Sequence, residues 1–210
     1  MKSTAFLLLC SFFLFSCSEK KKSSNDTNKG SKADTTIVSK PEKPVNGYAP
    51  VDVSPMDMSY FPVNYPILKM SDSITTPPLA RVVYSRPHLQ GRNLFQEVLK
   101  YGEPWRLGAN EATELDLYKE ATIQGKKIKA GRYILYCIPQ QDQWTIVLNS
   151  NIDSWGLHPD VSKDVARFTV PVSQTDNSFE FFTMIFQSTT TGADLLMAWG
   201  YVETKLPISF

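Results

Sequence analysis

From residue 79 to the C-terminus the sequence is cut into short apolar runs by turn residues. That punctuation constrains the fold more than any other feature. Eight runs read as strands: 80–84, 114–119, 132–138, 144–149, 165–170, 179–187, 194–199 and 202–208. Leu115 and Leu117 alternate with acidic neighbours, as a half-buried antiparallel strand requires. Trp144, Ile146 and Leu148 alternate with Thr145, Val147 and Asn149 in the same way. The runs 179–187 and 194–199 are apolar on both faces and are expected to be central or covered. Pro139, Gln140, Gln141 and Asp142 read as a hairpin connection. Gly125 and Gly131 bracket a basic stretch, Lys126 to Ala130, expected as a connection that ends strands by turn chemistry. Only 92–99 hints at helix. The expected class is all-β: an antiparallel β-sandwich or jelly roll of about eight strands, with one short helix in a long loop.

The N-terminal third has a different composition. Lys2 precedes an apolar stretch at 5–15, within the range of an export signal and too short to span a bilayer. It ends Leu14-Phe15-Ser16-Cys17, which resembles the bacterial lipoprotein signal, in which the cysteine becomes the acylated N-terminus of the mature chain. Two or more acyl chains anchor a protein stably where one does so only marginally. The expected organisation is therefore a lipoprotein signal peptide at 1–16 and lipidation at Cys17. A disordered tether at 17–43, too polar to bury a core, follows. The resulting location is the bacterial cell envelope, lipid-anchored, at the outer membrane. Residues 44–78 are a Pro-rich extended arm docked on a β-sandwich domain at 79–210. Eight of the fourteen prolines lie in 41–78 and argue against helix there, while its large apolar residues argue against a free linker.

The chain carries a formal net charge of +1, which leaves no basic footprint for nucleic acid. Three cysteines exclude a disulfide-dense scaffold; after removal of the signal and acylation of Cys17, only Cys137 is left, in an apolar run where it acts as a small hydrophobe.

One connection stands out. About thirty residues, from Tyr84 to Thr113, separate the first two strand runs of the domain, far more than a hairpin needs. Long ordered connections often carry function. This one concentrates Arg86, Arg92, Trp105, Arg106, Asn110 and Glu111. Guanidinium groups match carboxylates and phosphates, and tryptophan offers a flat face to a sugar or a cation, so these six are the candidate binding residues for an anionic or glycan ligand. The competing structural reading pairs Arg86 or Arg106 with Glu111 beneath the loop. It also makes Trp105 and Trp155 packing plugs and leaves His88 and His158 exposed.

These residues also carry a resemblance. The order Ser85-Arg86-Pro87, Gly91-Arg92, Tyr101-Gly102, Trp105-Arg106 and Gly108 to Thr113 is distinctive. Ala130-Gly131 before Tyr133, Trp144-Thr145-Ile146 and a later Trp-Gly pair complete it. The whole is similar to domain-of-unknown-function family 2911, a set of secreted or lipid-anchored bacterial proteins. The resemblance covers roughly 79–210 and departs from the family pattern at Phe95-Gln96 and Leu99-Lys100. It implies a domain boundary and no activity.

No nucleophile elbow, phosphate-binding loop or dinucleotide fingerprint occurs. A metal set built from His88, His158 and Asp160 has no support in spacing, and no metal or cofactor is expected. Three function classes stay open. The first is a lipid-anchored binding protein using the Arg/Trp-rich loop. The second is a glycan-acting hydrolase using Glu111 with Glu97 or Glu103. The third is a structural envelope protein with a broad apolar patch and no pocket.

Overall fold

The computed structural model describes residues 52–210. The signal at 1–16, Cys17, the tether at 17–43 and the start of the arm lie outside the described residues. Nine strands join in the spatial order β1-β2-β3-β6-β7-β8-β9-β4-β5. They are β1 (Met56–Phe61), β2 (Ala80–Ser85), β3 (Thr113–Leu117), β4 (Ala121–Ile123), β5 (Lys126–Ile128), β6 (Gly131–Pro139), β7 (Gln143–Asn149), β8 (Asp164–Ser188) and β9 (Gly192–Ser209). Every pairing is antiparallel, and the all-β, sandwich-like class expected from the punctuation is the one observed.

Strand β8 joins the two parts of the sandwich. Its first part pairs with β7, from Asn149↔Asp164 to Gln143↔Pro171. Its second part pairs with β9, from Val172↔Thr204 to Ser188↔Ala193. The chain folds over so that Phe182 meets Tyr84 edge-on at 5.7 Å and Phe186 meets Phe61 at 6.3 Å between ring centroids. Alternation decides what lies inside: Ala80, Val82 and Tyr84 of β2 and Phe182, Met184 and Phe186 of β8 are all buried.

The two longest strands each correct a break expected from sequence. The runs 165–170 and 179–187 are one strand, as are 194–199 and 202–208. The polar residues between the first pair sit in register shifts between Gln174 and Thr183, where an irregular ladder tolerates them. Gly200 carries β9 through a left-handed conformation (φ +59°) open to glycine at little cost.

Two further findings concern the Pro-rich arm and the basic stretch after Gly125. Within the arm, β1 adds to the β2 edge from Met56↔Ser85 to Phe61↔Ala80. A short helix α1 (Tyr65–Met70) follows, a correction to the expectation that the prolines keep this arm free of helix. Pro66 lies in its first turn, where no intrahelical N–H donor is lost. The basic stretch after Gly125 is the second arm of a β4–β5 hairpin, not a bare connection. Gln124 (φ +46°) and Gly125 (φ +79°) form its turn, and Ile123 and Ile128 point inward. The β6–β7 hairpin turns at the expected place, closed by Gln140 N–H to the Gln143 carbonyl at 2.9 Å.

The helix expected within 92–99 is a single wide turn, Leu94–Val98. Asn93 caps it by accepting from the N–H groups of Phe95 and Gln96, and Glu97 accepts in return from Asn93 N–H at 2.6 Å.

Candidate functional site

The long connection between β2 and β3 is ordered by three anchors. Trp105 forms a two-way backbone bridge with Cys137 of β6, at 2.7 and 2.8 Å. The buried Ser85 hydroxyl accepts from Ala109 N–H at 2.7 Å and Asn110 N–H at 3.0 Å. Thr113 donates its hydroxyl to the Leu107 carbonyl at 2.6 Å. Leu107 sits at φ +55°, a conformation unusual for a branched side chain, which these bonds hold in place.

The six candidate residues divide. Arg92, Trp105 and Arg106 line one cleft of about 380 Å³, within the size range of small-molecule sites. Arg86, Asn110 and Glu111 do not line it. Arg86 is a structural clamp: it bonds Asp57 at 3.2 Å, the Phe182 carbonyl at 3.2 Å and the Thr183 hydroxyl at 3.0 Å. Asn110 holds the segment before β1, donating to Asp52 at 2.7 Å and the Ser54 carbonyl at 3.0 Å. Glu111 is exposed and forms no salt bridge among the described residues. The expected pairing of Glu111 with Arg86 or Arg106 is therefore absent; Arg86 takes Asp57 instead, because β1 brings that carboxylate to it.

The cleft floor is aromatic. Trp105 stacks on Trp199 with centroids 5.5 Å apart, and meets Trp144 and Phe182 edge-on at 6.0 and 4.8 Å. Its Nε1 donates to the Gly108 carbonyl at 3.1 Å. Trp105 thus both packs and lines the cleft, whereas Trp155, paired with it as a plug from sequence, is exposed.

The wall is cationic. Arg106 is half-buried, and two of its guanidinium nitrogens, Nε and Nη1, are buried with no hydrogen-bond partner. Burial pulls its pKa below the ordinary arginine value, with Glu111 opposing that trend from a distance. Arg92 spends Nε on the Leu89 carbonyl at 2.8 Å and Nη2 on the His88 carbonyl at 2.9 Å. His88, expected to be exposed, is half-buried: it stacks on Phe181 at 5.2 Å, with Nδ1 3.8 Å from Glu180. No carboxylate lines this cleft among the described residues.

Glu97 and Glu103 are also turned elsewhere, Glu97 to its cap and Glu103 to Lys100 at 3.6 Å. Neither they nor Glu111 face the cleft, so the two-carboxylate arrangement finds no groove there. Asp160 caps a single turn, Val161–Lys163, through Ser162, and His158 is exposed. Among the described residues no three His, Cys, Asp or Glu side chains gather as a metal site would need. Cys137 is buried, and burial pushes its thiol well above the ordinary value, which suits a packing role.

The sequence reading missed the rim. Val53 and Ser54 come from the segment before β1, and Gly156 and Leu157 from the β7–β8 connection. The repeated Trp-Gly pairs at 155–156 and 199–200 are the one signal that pointed there.

Fold and cleft together define a class: a small all-β, sandwich-like domain carrying a cationic, aromatic-floored cleft. A family model described as "Protein of unknown function (DUF2911)" matches residues 70–208, and the chain belongs to that family. No curated protein and no solved structure matches it.

Proposed function

We propose that this chain is a lipid-anchored protein of the bacterial cell envelope that binds a small carboxylate- or phosphate-bearing ligand in the cleft floored by Trp105 and Trp199. The observation that carries the reading is the Arg106 guanidinium, with Nε and Nη1 buried and unpartnered at the wall of that cleft. A buried charged donor without an acceptor is costly, and an anion drawn against the Arg106 guanidinium from the cleft offsets that cost. The surrounding lining favours the same sign: Arg92 is present and carboxylates are not. The aromatic floor gives the rest of the ligand an apolar face to cover.

The anchor rests on the sequence from Lys2 to Cys17. Metabolic labelling of producing cells with palmitate tests it: wild type takes up label, and Cys17→Ser does not. Label retained in that variant removes the anchor.

Ligand binding is tested by thermal shift of the full chain with inorganic phosphate, succinate and glucuronate. A specific ligand raises the midpoint by mass action. At least one of the three raises it in wild type and fails to do so in Arg106→Gln. No shift with any of them, or equal shifts in wild type and variant, sinks the reading.

A further inference from the structure

A second cleft, of about 480 Å³, shares Arg92 with the first. We infer that it is a separate binding site for a neutral sugar ring, built from the aromatic faces of Phe95, Tyr101 and Tyr201 and the amide groups of Gln141 and Gln174. This inference does not depend on the anion reading of the first cleft.

The aromatic part is exposed where packing alone would cover it. Tyr201 is 59% exposed and Tyr101 44%, yet both line a concavity. Phe95 and Tyr101 stack at 4.5 Å, which fixes one platform. Tyr101 is held beside the β6–β7 hairpin because Gly102 N–H bonds the Pro139 carbonyl at 2.8 Å. Stacked rings with one face to solvent suit the apolar C–H face of a pyranose.

The polar part has open capacity. Among the described residues, the side chains of Gln141, Gln174 and Ser178 show no hydrogen bonds, although all three line the cleft. An amide offers two donors and an acceptor that takes two bonds, and a hydroxyl offers both roles, which is what sugar hydroxyls need. The charge balance favours a neutral ring. The cleft holds one arginine, Arg92, with two of its nitrogens already committed to backbone carbonyls, against one carboxylate, Glu180.

The backbone is shaped for the cavity. Gln174 and Ser178 stand where β8 loses its register with β9, and Tyr201 follows the left-handed Gly200. A Cβ at Gly200 would sit in ordinary contact with Leu94 at 3.4 Å, so the left-handed backbone rather than crowding selects glycine there. Irregularities of this kind re-aim side chains beside binding sites.

The test is an array of neutral oligosaccharides probed with the full chain. At least one neutral glycan binds. Tyr201→Ala and Gln174→Ala each weaken it about ten-fold, the scale of one lost stacking or hydrogen-bonding contact. Arg106→Gln leaves it unchanged, which separates this site from the first cleft. Three results overturn the inference: no neutral glycan bound, binding that survives both cleft variants, or binding lost with Arg106→Gln.

Discussion

Gly108 stands so close to Ser85 that a Cβ added to it would lie 2.7 Å from the Ser85 hydroxyl oxygen. That oxygen is itself committed, accepting from the N–H groups of Ala109 and Asn110. The two residues together fix the path of the connection that carries Trp105 and Arg106. Gly108→Ala must push the hydroxyl away and break bonds that hold the loop. A loss of about 1–3 kcal/mol in denaturant-derived stability is expected, the scale of overpacking.

Ser85→Ala removes the acceptor without adding bulk. Two partly buried N–H donors then lack a partner, at a cost of about 1–3 kcal/mol. Urea unfolding reads it, and hydrogen exchange at Ala109 and Asn110 rises in the variant. Unchanged exchange at both amides would show that the hydroxyl does not hold the loop.

Gly156 couples stability to the cleft. It sits at φ +78°, and a Cβ there would lie 2.8 Å from the Ala112 Cβ and 3.0 Å from the Arg106 Cβ. Gly156→Ala therefore lowers the melting midpoint and also displaces Arg106. The measured consequence is a weaker thermal shift with whichever anion shifts wild type, beyond the loss of baseline stability.

Phe182 is the packing keystone beneath the floor. It is fully buried and touches Trp105, Trp199 and Tyr84. Phe182→Ala costs about 3–5 kcal/mol in equilibrium unfolding, the range for deleting a buried aromatic ring. A cost below 1 kcal/mol would mean that the sandwich closes over the gap.

Two tyrosines set an alkaline limit. Burial raises the Tyr84 phenol from 10.0 to about 12. Tyr136 is raised to about 12, first by burial and then by its hydrogen bonds to Asp164. In the folded chain each keeps its proton where the unfolded chain gives it up. Their stabilising contribution is complete below pH 10 and is lost as pH rises toward and through 12. Stability measured against pH falls over that window, and Tyr84→Phe or Tyr136→Phe flattens the fall.

The legible part of this fold was the part governed by local alternation. Leu115 and Leu117, or Trp144, Ile146 and Leu148, reveal strands because every second side chain is apolar, and the structure buries each of them. The same rule misread β8 and β9. Gly200 and the polar run near Asp176 look like strand ends locally, but the neighbouring strand holds the ladder across them. It also passed over β1, because Met56–Phe61 lies among prolines and takes its strand from the open edge of β2.

The candidate site divides along the same line. Residue types made Arg86, Arg92 and Arg106 look equivalent. Their partners separate them: Asp57 claims the first, carbonyls take much of the second, and Arg106 is left with buried, unanswered donors. No sequence rule assigns those partners, since Asp57 and Arg86 meet only through the β1–β2 pairing.

The sequence by itself determined the β class, the hairpin at Pro139, the family membership and the interest of the Tyr84–Thr113 connection, because these follow from periodicity, turn chemistry and residue order over short distances. Tertiary structure alone decided which arginine lost its partner, which tryptophan became a floor and which stayed on the surface, and where the two clefts opened. Those outcomes depend on contacts between segments about a hundred residues apart or more, such as Arg86 with Thr183 and Ser59 with Phe186. Such contacts are fixed by how the sheets close on a shared core, which no local pattern encodes.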